Sequence, residues 1–147
     1  METTISVFIL HLLATLLMTG VIWVVQLVHY PAFLFVDKGQ FSKFEQFHSV
    51  QISKVVMPLM LIELFTAVIL LFSFPFKKIL LVSNLGLLIA TWSVTAFFSM
   101  RYHKLLLSGF NKEYILNLVK TNIFRTVFWS TRSAILIYLL AGMINTK

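Results

Sequence analysis

Apolar residues run along this chain in four long blocks separated by short polar intervals: about Thr4–Tyr30, Ile52–Phe74, Ile79–Met100 and Val119–Met143. Each is long enough to cross a bilayer, which takes roughly 20 apolar residues. In lipid such a segment must be helical, because nothing there satisfies free backbone groups. The pattern therefore predicts one transmembrane domain over residues 1–147, an all-α integral membrane four-helix bundle. Pro31 is expected to end the first helix, since proline disfavours helix at the residue before it. "SFPFKK" reads as a tight turn between the second and third spans. In "DKGQFSKFEQFHSVQISK", Phe41, Phe44 and Phe47 recur every three residues among polar ones. That spacing predicts a short amphipathic surface helix between the first and second spans, with an ordinary polar loop as the alternative. Asn111 is placed to cap a helical start that runs into the fourth span.

Polar residues inside the blocks fall on stripes. His11, Thr15, Gln26 and His29 keep to one face of the first span; Asn84, Thr91, Thr95 and Tyr102 to one face of the third; Asn122, Arg125, Trp129, Arg132 and Ser133 to one face of the fourth. The second carries the acid Glu63. Polar groups in lipid are costly and mark sites or helix–helix contacts, so the stripes should face inward.

Depth refines this picture. At 1.5 Å of rise per residue, Glu63 lies roughly 16 Å and Arg132 roughly 18 Å from the loop-side edge. An unpaired charge at that depth costs at least about 2.5–3.5 kcal/mol, which predicts a Glu63–Arg132 ion pair. Gln26, Thr95 and Arg125 form a second level, roughly 6–8 Å deep. His29, His48, His103 and Asn122 ring the mouth. The whole reads as a polar funnel open at one face, walled by Trp23, Phe65, Trp92, Phe97 and Trp129. The competing reading is that these polar groups only hold four helices together.

Composition agrees: 59% of residues are hydrophobic and 12% charged, against about 25% charged in soluble domains. There is no cysteine, so disulfides and thiolate chemistry are excluded. The net charge of +7 belongs to basic loops at a membrane surface, and no nucleic-acid partner is expected. Lys38, Lys43, Lys54, Arg101, Lys104, Lys112 and Lys120 lie in the first and third loops, against Lys77, Lys78 and Lys147 on the other side. This bias puts those loops in the cytoplasm and both termini outside, with a bacterial cytoplasmic membrane as the expected location. No cleavable signal peptide is expected, as Glu2 and no basic cluster precede the first block.

Three histidines near one face raise metal or haem chemistry. No pair has i, i+4 spacing on one helix and no second acid stands out near them, so no metal site and no cofactor are expected. Haem b held axially by His29 and His103 is the open alternative. His11, at the other end of its span, is read as structural. Acid–base chemistry on an oily molecule fits better. Histidine exchanges protons near neutral pH, and arginine holds a developing oxyanion.

"TNIFRTVFWSTRSAILI", preceded by "SMRYHKLLLSGF", resembles the anthrone oxygenase-like family of small four-helix membrane proteins. The family's last helix opens with an N-x-x-R-T pattern, matched by Asn122, Arg125 and Thr126, and Pro31 in "HYPAF" is also similar. The likeness spans the length and the four-helix layout and looks like a bacterial-type branch. It implies an oxidoreductase that oxidises an activated aromatic ring with dioxygen and no cofactor; only Asn122 and Arg125 carry over. The small four-helix protoporphyrinogen oxidases of bacteria are a looser likeness, with Ala32 where they have an arginine.

The expected function is thus a membrane-embedded oxidoreductase acting on a hydrophobic aromatic, quinone-like or isoprenoid compound. His29, His48 and Arg125 are the expected catalytic residues. Gln26, Glu63, Trp92, Thr95, His103, Asn122, Trp129 and Arg132 are expected to bind substrate. The alternatives are a non-catalytic binding or transport module for a lipidic or anionic ligand, a haem-binding subunit, or a structural subunit. Membrane lipid is an expected partner, and a homo-oligomer is compatible with the lipid-facing aromatics.

Overall fold

A computed structural model describes residues 2–73 and 78–145. Four helices, Thr3–Phe35, Phe41–Ser73, Lys78–Leu106 and Lys112–Asn145, are each long and apolar enough to cross a membrane. The first packs against the second and fourth, and the third against the same two, so the four close into an up-and-down ring. The turn expected at "SFPFKK" falls mainly on residues 74–77, outside the described residues, as do Lys77 and Lys147 of the loop charges.

Two boundaries differ from expectation. The first helix does not stop at Pro31 but runs through it to Phe35. The reason lies one turn earlier. Val25–His29 is a π-helical turn, in which the Tyr30 N–H reaches back five residues to the Val25 carbonyl. Proline in a regular helix clashes with the carbonyl four residues before it. Here the ladder is already widened where the ring arrives. The segment around Phe41 is helical, as expected, but it forms the opening turns of the second helix instead of a separate surface element. Phe41 is fully buried while Phe47 is 64% exposed, so its inward face carries Phe41, Glu45 and His48. The Asp37 carboxylate starts this helix by accepting the N–H groups of Gly39 and Gln40. Asn111 caps the fourth as expected, its Oδ1 accepting the Tyr114 N–H at 3.1 Å. Gly109, at φ +130°, makes the preceding turn in a conformation that favours glycine.

The core has two apolar parts. One, around Phe8, Leu12, Leu70, Leu81, Leu136 and Leu139, lies toward the termini. The other, around Met18, Ile22, Phe33, Phe41, Met60, Leu106, Leu118 and Trp129, lies toward the first and third loops. Between them runs a buried polar level. Arg132 Nη1 meets Glu63 Oε1 at 2.7 Å, with both side chains fully buried. The Trp129 indole N–H donates to both oxygens of Glu63, and Arg132 Nε donates to Asn84 Oδ1. Asn84 Nδ2 returns a bond to the Arg132 carbonyl, and His11 lies between Asn84 and Thr66. All four helices are tied at this level. The ion pair expected from depth is present, and His11 belongs to its shell.

Removing one member of a buried pair leaves an uncompensated charge, at a cost of about 3–5 kcal/mol. Glu63→Leu alone should therefore destabilise the protein strongly in detergent micelles. Glu63→Leu combined with Arg132→Met should recover more than half of that loss, because no charge is then stranded. Unfolding midpoints in increasing dodecyl sulfate check both outcomes.

Candidate functional site

The π-helical turn decides which side chains of the first helix face inward. Burial recurs through Met18, Ile22 and Val25 and then skips to Tyr30 and Phe33. The step of five matches the five-residue hydrogen bond, and it rotates Tyr30 into the bundle. A second π-helical turn, Thr95–Ser99, interrupts the third helix and ends on the buried Ser99. Such turns are rare and frequent at functional sites. Here two of them end on residues of one polar cluster.

That cluster is built from four helices. His103 Nδ1 lies 2.6 Å from Glu45 Oε1, and its Nε2 lies 3.0 Å from the Tyr30 hydroxyl. A carboxylate can only accept, so Nδ1–H donates to it, which leaves Nε2 of the neutral ring to accept from the phenol. Ser49 donates a further bond to Glu45, whose Oε2 has no partner among the described residues. Beside this acid–imidazole–phenol chain, His29 Nε2 and His48 Nδ1 stand 2.8 Å apart, one donating and one accepting. The His48 ring is 5.2 Å from that of His103.

A cation closes the cluster from below. Arg125 is buried, and Nη1 donates to Ser99 and to Asn122 Oδ1, each at 3.1 Å. Its guanidinium lies 5.6 Å from the Trp129 ring and within electrostatic reach of the Tyr30 hydroxyl. Asn122 Nδ2 donates to Gln26 Oε1 at 2.9 Å, and Gln26 donates to the Val119 carbonyl. Among the described residues no carboxylate is within ion-pair distance of Arg125, and its Nε has no partner. Arg132 is neutralised by Glu63; Arg125 is paired with no acid among the described residues. A buried guanidinium of that kind is suited to an oxygen that gains negative charge.

The expected open mouth is closed. Phe33 and Phe41 are fully buried under the histidines, and Phe33 meets the rings of Phe41, Phe44, His29 and His48 edge-on at 5.1–6.1 Å. Phe110 packs on Phe41 at 5.5 Å. The expected aromatic walls also differ. Trp23, Phe65 and Phe97 are 43%, 65% and 72% exposed and face outward; Trp129 is buried and Trp92 half-buried. An open apolar cavity of about 390 Å³ lies to the side, lined by Gly20, Val21, Val24, Val25, His29 and Ile52.

Of the residues singled out from sequence, His29, His48, His103, Arg125, Asn122 and Gln26 are brought together here. Glu63, Arg132 and Trp129 lie one level deeper, where they bond to one another. Thr95 does not reach Arg125: its hydroxyl donates to the Thr91 carbonyl, and Ser99, one turn on, takes the expected place. Trp92 contributes an indole N–H with no partner among the described residues. Tyr30 and Glu45 are additions, and Glu45 is the acid that the sequence pattern did not bring near the histidines. Its signal was spacing: Phe41, Glu45 and His48 step by four and three, one helical face.

Among the described residues no three His, Asp or Glu side chains are grouped as a metal ion requires. Both nitrogens of His103 are bonded, and His48 stands between it and His29, so haem held by those two would displace these contacts. No family model, curated protein or solved structure matches the chain.

Glu45→Leu should remove the preference of His103 for the Nδ1-protonated tautomer, while Ser49→Ala should keep it. Histidine-selective ¹⁵N spectra of the protein in micelles distinguish the two tautomers and check this.

Proposed function

We propose that this protein is a membrane-embedded oxidoreductase that acts by acid–base chemistry on a hydrophobic ring compound bearing an acidic hydrogen. The phenol-, anthrone- and hydroquinone-like molecules are the substrate class. The observation that carries this reading is the Glu45–His103–Tyr30 chain beside a buried arginine that lacks an acid. A carboxylate that holds an imidazole, which in turn accepts from a hydroxyl, makes that hydroxyl a base.

Tyr30 takes the substrate's proton as its own passes to His103 Nε2. Glu45 stabilises the imidazolium. The electron pair stays on the substrate as an enolate or phenolate, whose oxygen Arg125 faces. For a hydroquinone, two electrons and the remaining hydroxyl proton then pass from this electron-rich ring to dioxygen, the acceptor that the family resemblance implies; the proton first removed completes hydrogen peroxide, and the ring leaves as the quinone. The His29–His48 pair offers the return route for the proton. Asn122 positions Arg125, since its amide binds the guanidinium on one side and Gln26 on the other.

The orientation that suits this reading has the first and third loops in the cytoplasm. Lys38, Lys43, Lys54, Arg101, Lys104, Lys112 and Lys120 are all exposed, which supports counting them for topology and not for the site.

Purified protein in nanodiscs should consume oxygen with at least one member of a panel of anthrones and hydroquinones. Tyr30→Phe and His103→Gln should each lower that rate by about 10²–10⁴ without moving the unfolding midpoint. Full turnover in both variants would overturn the acid–base assignment. Binding of panel members with no oxygen uptake would favour a ligand-binding module instead.

A further inference from the structure

Resting on that reading, we infer that the substrate comes in sideways from the bilayer, through the cavity between the first and second helices, with its oxygen-bearing edge toward His29. Three observations support this route. The loop-side mouth is closed by the Phe33, Phe41, Phe44 and Phe110 rings, which pack on one another edge-on or tilted, with Phe33 and Phe44 against the imidazoles. The lateral cavity is lined by Gly20, Val21, Val24, Val25 and Ile52, with one polar lining residue, His29. At about 390 Å³ it lies at the low end of the range for small-molecule sites, roughly 300–1,000 Å³.

The chemistry of that single polar residue selects the occupant. His29 Nε2 is engaged by His48, and among the described residues Nδ1 has no hydrogen-bond partner. A lipid acyl chain offers an imidazole nothing. A hydroxyl or carbonyl on a flat ring completes its bonding, while the ring itself lies against the valines. The volume favours a compact fused-ring compound over a long-chain lipid. The return route for the proton reaches the cavity at this same residue, since His48, whose ring adjoins that of His103, is bonded to His29.

Gly20 keeps the cavity open. A Cβ built there meets nothing within 4 Å, so a side chain can start from this position into the cavity that the residue lines. Val24 is 59% exposed and can be enlarged with equally little disturbance of the core. Both positions test the route without touching the polar cluster.

The experiment is photolabelling of the full chain in nanodiscs with a diazirine derivative of a dihydroxyanthraquinone, mapped by peptide mass spectrometry. An alkyl diazirine without oxygens serves as control. The ring probe should attach to Val21, Val24 or Ile52, and Gly20→Phe and Val24→Trp should each remove most of that labelling. His29→Ala should weaken ring-probe labelling about 3–10-fold, the worth of one hydrogen bond, and leave the alkyl control unchanged. Labelling confined to the loop-side aromatic rings, or unaffected by either enlarged side chain, overturns the route. Equal labelling by both probes with no dependence on His29 overturns it as well, since the cavity then holds ordinary lipid. Labelling requires no turnover, so the two readings separate: cavity labelling without oxygen uptake sinks only the oxidoreductase reading, and uptake without cavity labelling sinks only the route.

Discussion

A guanidinium and a carboxylate buried at one level of an apolar bundle leave the helices little choice of how to face one another. Arg132 and Glu63 stand on the fourth and second helices, which sit across the ring and not side by side. Their 2.7 Å contact therefore runs through the middle of the bundle. Asn84 from the third helix and His11 from the first join the same level. Rotating any helix by a residue would strand one of these groups in an apolar medium, where bare charge is costly. This level sets the rotation of all four helices, and the loop-side cluster inherits its alignment.

Alignment matters most at Arg125. It lies two turns before Arg132 on the same face of the fourth helix, so the pairing of the deeper arginine also aims the shallower one. One arginine is neutralised and anchors; the other is left with neutral donors and acceptors around it. Two identical side chains seven residues apart thus acquire different capacities from their partners alone. The resting charge of Arg125 is tolerated because Asn122, Ser99 and the Trp129 face share it.

Most of the fold was legible from periodicity and depth. Four apolar blocks specify four helices, and the inward stripe of the fourth, with that of the third from Asn84 to Thr91, follows from regular 3.6-residue spacing. The Glu63–Arg132 pair could be read because straight helices convert residue count into depth. What escaped did so for two physical reasons. Tyr30 is turned inward by the π-helical turn, and a one-residue slip in a hydrogen-bond ladder leaves no mark in residue types. Glu45 sits among lysines and glutamines in a stretch that looks solvated, yet the helix continues through it and buries its face. The closed mouth has a related cause: the first helix runs past Pro31 and carries Phe33 inward, and Phe41, expected on a surface helix, opens the second span and is buried with it.

The wide turn at Val25–His29 has a further consequence for how chains of this type can change. It is, in effect, one residue spliced into a span whose overall length is already set. Deleting a single residue there would restore regular winding and replace the inward step of five by one of four, so Tyr30 and Phe33 would go on facing the interior. Regular winding with no residue lost would instead swing everything beyond the turn by about 100° and carry Tyr30 and Phe33 out together. A relative shorter by one residue here would thus keep its membrane span, its proline and the phenol in the cluster. Loss of the phenol would follow from straightening the turn at constant length, which leaves no gap in the hydrophobic block.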